Sequence, residues 1–111
     1  MTMPAPAFCV QGITTSGESL GFSLPGGGIQ VSAAFSAVSG TDPSLTCYAD
    51  ALVGANWQQV LQLTALTAAG LEQGQAQSPV SIPPGTGQWR LRWVVSGTGA
   101  LFLGCLTAAG I

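Results

Sequence analysis

Glycine and proline cut this chain into mostly short runs. There are 16 glycines and 7 prolines in 111 residues, and the runs between them are filled with Val, Ile, Thr, Phe and Trp. Short runs of β-branched and aromatic residues bounded by turn residues read as strands. The pattern predicts an all-β, single-domain antiparallel β-sandwich, jelly-roll-like, with about seven to eight strands. A chain of this length fits one domain and can bury one hydrophobic core without disulfides or metals.

The clearest strand is 29–38. There Ile29, Val31, Ala33, Phe35 and Ala37 alternate with Gln30, Ser32, Ala34 and Ser36, a period of two with one polar side. Residues 39–44, Ser-Gly-Thr-Asp-Pro-Ser, read as a turn. Residues 45–52 return with Leu45, Cys47, Ala49 and Ala51 on one side, which predicts a hairpin. Residues 88–96 alternate again, with Trp89, Leu91, Trp93 and Val95 opposite Gln88, Arg90, Arg92 and Val94. A Gly97-Thr98-Gly99 turn and a closing strand at 101–107 follow. Strands are also expected at 8–15, 19–24, 57–64 and 79–82, with a turn at 16–18. Residues 61–71 fit a helical turn as well as a strand, and 71–77 read as a polar loop. The domain is expected over 8–107, flanked by an extended arm at 1–7 and a short apolar tail at 108–111. Pro4 and Pro6 exclude helix in the arm.

Val-Ser-Gly-Thr occurs at 38–41 and again at 95–98, each time at an expected hairpin tip. Leu-Thr-Ala-Ala-Gly occurs at 66–70 and 106–110. Two similar hairpins facing each other would account for the echo, as would chance recurrence of small residues.

Charge is scarce. Two Arg and four Asp or Glu are the only charged residues, against about a quarter of a typical soluble protein. Free monomers rely on surface charge to stay apart, so much of this surface is expected to be covered by partners. No stretch is long and apolar enough for a membrane helix, and residues 1–7 lack the charges and apolar run of a signal peptide. A net charge of −2 gives no basic surface for nucleic acid.

Candidate chemistry is equally sparse. The chain has no histidine, which removes the usual general base and metal ligand. Cys9, Cys47 and Cys105 have no zinc or redox spacing and read as free, small apolar residues. Glu18, Asp42, Asp50 and Glu72 show no paired spacing, and Gly26-Gly27-Gly28 precedes a strand and lacks a nearby base, unlike a phosphate loop. No catalytic residue, metal or cofactor is expected, and the chain reads as a non-enzyme.

Five residues are candidates for an interface. Arg90 and Arg92 share one strand face and carry the planar fork favoured at interface hot spots; a merely solvated face is the alternative. Pro4, Pro6 and Ile111 lie in termini that could strap onto a neighbour. Trp57, Trp89, Trp93, Phe35 and Phe102 are candidates for the core. Exposed tryptophans would instead suit sugar stacking or a protein contact.

Residues 36–107 carry a further signal. In order come Gly40-Thr41-Asp42-Pro43-Ser44-Leu45, then Trp57, then Trp89-Arg90-Leu91-Arg92-Trp93-Val94-Val95-Ser96-Gly97-Thr98 and an apolar closing strand. This progression resembles small tailed-phage and prophage virion proteins of the head decoration, or cement, type. The resemblance implies a β-sandwich that binds the major capsid protein and its own copies, with a trimer favoured. It implies a protein made in the host cytoplasm that ends on the capsid surface, with no catalytic residues. A carbohydrate-binding module of a phage fibre, or a tail, neck or spike-base component, is the alternative.

Overall fold

A computed structural model describes residues 7–8, 11–24, 27–78 and 88–111. Eight strands form one sheet: β1 (Ala7–Phe8), β2 (Gln11–Ile13), β3 (Gly17–Glu18), β4 (Phe22–Ser23), β5 (Gly28–Val53), β6 (Asn56–Gln62), β7 (Gly70–Gln77) and β8 (Gln88–Gly110). All pairings are antiparallel. The all-β class follows from the residue pattern. The hydrogen bonds, however, join every described strand in one sheet rather than dividing them between the two sheets of a sandwich.

Two long strands form the centre. β5 and β8 pair from Ile29↔Gly110 to Ala51↔Trp89. β1 to β4 run along the outer side of β8, and β6 and β7 along the outer side of β5. The expected hairpins at 29–52 and 88–107 are therefore absent, and each is one strand crossing the place where a turn was expected. The reason lies in the backbone at the mid-line. Gly40 has φ 116°, Asp42 φ 49°, Gly97 φ 106° and Gly99 φ 62°, and the pairing register shifts between Ser39 and Thr41 and between Thr41 and Ser44. These are bulges, which bend a strand without reversing it. Thr41 of one Val-Ser-Gly-Thr motif pairs with Thr98 of the other. The two motifs are thus not separate hairpin tips; they face each other across one ladder, each supplying a glycine to the same bend.

The bend is large. A straight strand of 23 residues would span roughly 75 Å at about 3.3 Å per residue, yet the longest dimension of the molecule is 44 Å. The mid-line divides the sheet into a first half (28–38 with 101–110, β1, β2 and β7) and a second half (44–53 with 88–96, β3, β4 and β6). The first half buries Ile29, Val31, Ala33, Phe35, Phe102 and Leu106 on one side, and the second buries Leu45, Cys47, Ala49, Trp89 and Leu91. These residues form one cluster. No helix or second sheet covers either side among the described residues; the sheet folds over and the two apolar sides cover each other. Phe35 meets Phe102 edge to face at 6.0 Å, a favoured aromatic geometry.

Four further segments either differ from expectation or decide between the alternatives left by the sequence. Residues 70–77 are strand β7, not a loop. Their polar residues show no apolar alternation because the strand lies at the sheet edge, where β5 supplies the buried surface. Residues 61–71 are not helical: the Leu63 N–H donates to the Cys47 carbonyl, and Leu66 exchanges two backbone hydrogen bonds with Leu45. The expected tail at 108–111 is structural, since Ala108 is buried and Ile111 exchanges two hydrogen bonds with Gly28. Residues 16–18 are not a free turn either, because Gly17 and Glu18 pair with Trp93 and Arg92. Pro4 and Pro6 of the arm, and the strand expected at 79–82, lie outside the described residues.

Cys47 provides a test of the core. Burial pushes its thiol up to about 12, because the charged thiolate loses its hydration. An unfolded thiol titrates near 8.5. Stability from the neutral thiol is therefore fully present below that value and is lost as pH rises towards 12, by up to about 1.4 kcal/mol per pH unit. Urea melts from pH 7 to 11 should show this alkaline decline in the wild type and a flatter curve in Cys47→Ala. Equal slopes would show that Cys47 does not remain a protonated thiol in the folded chain.

Candidate interaction surfaces

The bend leaves two outward faces, one on each half of the sheet. Their chemistry is opposite. On the second half, register brings together residues far apart in sequence. Asp50 of β5 pairs with Arg90 of β8, and Tyr48 pairs with Arg92. Side chains of alternate residues share a face, so both arginines point the same way as Asp50. Asp50 Oδ2 accepts from Arg90 Nε at 2.8 Å and from Arg92 Nε at 3.1 Å, and Oδ1 accepts from Arg92 Nη2 at 3.3 Å. Arg90 also reaches Glu18 Oε2 at 3.2 Å, and Arg92 Nη2 donates to Gln59 Oε1 at 3.0 Å. Trp57 lies against the Arg90 guanidinium at 4.8 Å, and Tyr48 against that of Arg92 at 4.2 Å. Both distances lie within cation–π range.

Asp50 is only 2% exposed. Burial acts to raise its carboxyl pKa, but the hydrogen bonds and charges of Arg92 and Arg90 outweigh it and hold the group below the usual carboxylate range. The network gathers four of the six charged residues of the chain. Only Asp42 and Glu72 lie outside it.

The outward face of the first half is uncharged. Gln73, Ser32 and Thr107 form one cross-strand row, and Leu71, Ala34 and Cys105 the next. Gln73 Nε2 donates to Ser32 Oγ at 3.1 Å along the first row. Leu71 and Leu103 stand out at 55% and 40% exposed. Beside Leu71 lies a shallow apolar depression of about 430 Å³, floored by Ala34, Ser36, Gly70, Gly104 and Cys105, and Leu103 borders an adjoining one over Ser36, Gly104 and Cys105. The floor is low because the backbones approach closely: a Cβ on Gly104 would collide with the Ala34 carbonyl oxygen.

Phe35, Trp89 and Phe102 are in the core as expected, and Trp93 is half-buried against it. The Trp93 indole N–H donates to the Thr15 carbonyl at 3.2 Å. Trp57 is not a core residue: it sits half-buried on the outward face beneath Arg90. Arg90 and Arg92, the expected interface anchors, already hold intramolecular partners and keep only 20% and 28% of their side-chain surface. Ile111 is 39% exposed at the end of the central ladder. Sequence reasoning passed over Asp50, whose two partners lie 40 and 42 residues away. It also passed over Leu71, a lone apolar residue in a polar run. Among the described residues no three His, Cys, Asp or Glu side chains are grouped to hold a metal ion.

These features define an all-β chain with most of its charges paired with one another on one outward face and an uncharged second outward face. Comparisons with protein-family models, with curated proteins and with solved structures found no match.

Proposed function

We propose that this chain is a non-enzymatic structural protein of a tailed-phage virion, a head decoration component that binds the major capsid protein and further copies of itself. The observation that carries this reading is the withdrawal of charge. With Glu18, Asp50, Arg90 and Arg92 satisfied within the chain, its outer surface can be covered by another protein at little desolvation cost. The resemblance over residues 36–107 supplies the kind of assembly. The sugar-binding alternative has less support, because Trp89 is buried and Trp57 and Trp93 have intramolecular partners.

Co-sedimentation with phage heads tests the proposal. The purified chain should pellet with heads at a saturable number of copies per capsid and stay in solution without them. Failure to pellet with heads at any concentration would refute the decoration role, and pelleting with isolated tails instead would move the protein to the tail or neck.

A further inference from the structure

We infer that the outward face of the first half-sheet, centred on Leu71 and Leu103, is a two-fold docking surface for a second copy of this chain. The inference rests on the reading of the chain as part of a self-associating assembly, but on different residues from those that carry that reading, and it puts a two-fold contact in place of the trimer that the resemblance favours.

Charge is the first argument. In a two-fold interface the same patch lies on both partners, so each charged group is brought near its own mate. Like charges so placed are destabilising. The rows Gln73–Ser32–Thr107 and Leu71–Ala34–Cys105 contain no charged side chain, whereas the face on the second half carries the whole Glu18–Arg90–Asp50–Arg92 network. Only the first-half face is electrostatically complementary to itself.

Shape is the second. One patch holds both projections and a recess: Leu71, 55% exposed, borders a depression of about 430 Å³ with a floor of small residues, and Leu103, 40% exposed, borders an adjoining one that shares Ser36, Gly104 and Cys105 with it. A two-fold rotation places the leucines of each copy over the recess of the other. Area is the third argument. The folded-over halves each back one broad side of a molecule measuring 44 by 32 Å, so a contact over half of that side covers on the order of 700 Å², close to the roughly 800 Å² per partner of a standard stable interface.

Light scattering and sedimentation equilibrium of the full chain test the inference. The wild type should show a mass twice 11.1 kDa that falls on dilution. Leu71→Asp and Leu103→Asp should each raise the dimer dissociation constant at least tenfold, and the milder Leu71→Ser and Leu103→Ser should raise it in the same order. Leu20→Asp changes a leucine that is 88% exposed away from this face and should leave the dimer intact. Far-ultraviolet dichroism melts identify any variant that fails to fold; the serine variants then decide. A wild type that is monomeric throughout, or an oligomer indifferent to all four substitutions, overturns the inference. Head binding is measured separately, and its failure would count against the decoration role without bearing on this dimer.

Discussion

Asp50→Ala should lower the unfolding free energy by about 3 kcal/mol, a large fraction of the 5–15 kcal/mol that holds a typical domain together. Removing one partner of a buried ion pair strands the other and usually costs about 3–5 kcal/mol. Here one carboxylate serves two arginines, and both lose their nearest counter-charge together. The lower end of the range applies because Arg90 and Arg92 keep 20% and 28% of their side-chain surface in water. The triple replacement Asp50→Leu, Arg90→Met and Arg92→Met should recover most of the loss, since apolar side chains of similar volume often replace buried ion networks without penalty. Acid gives an independent reading. The folded Asp50 carboxyl titrates below its unfolded value near 3.9. Its contribution is therefore present above that value and fades as pH falls through the folded pKa. The wild type should lose stability below about pH 4, and Asp50→Ala should show a shallower acid limb. Urea midpoints across pH 2–7 measure both effects. A loss under about 1 kcal/mol at pH 7 would mean that water, not Asp50, satisfies the arginines.

Gly97→Ala should cost as much or more. Gly97 has φ 106°, and a Cβ there would lie 2.5 Å from the Asp42 carbonyl oxygen. Strained backbone contributes about 1–3 kcal/mol and forced overpacking a similar amount, so a total of about 3 kcal/mol or more is expected. Gly99 is the matched control. It lies in the same bend at φ 62° with no atom within 4 Å of its would-be Cβ, so Gly99→Ala carries the backbone term alone, about 1–2 kcal/mol. Thermal melts of the two variants separate strain from collision. If both fall equally, the close approach of Gly97 to Asp42 is not part of the folded state.

The alternation of residues 29–38 and 88–96 made much of the interior legible. Phe35 and Trp89 follow directly from it, since a strand with one apolar side must bury that side. The mid-line was not legible. Gly40, Asp42 and Pro43 are residues of a turn and equally of a bulge, and their local conformation suits either. The choice is made by Gly99 and Ala100 on the other long strand, whose backbone comes close enough to Gly40 to forbid a side chain there. The polar run 70–77 has the same character, becoming a strand because β5 offers it an edge.

The candidate site divides along the same line. Arg90 and Arg92 stood out in the sequence because cations are so rare, but their role depended on what lay opposite. Register set Asp50 between them, and a shift of one residue would have turned it into the core. Trp57 has the side chain of a core residue and lies outside because it pairs with Leu52 on the Asp50 side of β5, where Arg90 covers its ring. By itself, the sequence determined the all-β class, the apolar side of each central strand and a surface poor in charge, because these depend on residue type and a period of two. The tertiary structure alone decided that two expected hairpins are two continuous strands, that four of the charges pair with one another, and that Leu71 and Leu103 share one uncharged face. Each of these depends on which residues meet across a ladder, and that pairing joins positions tens of residues apart.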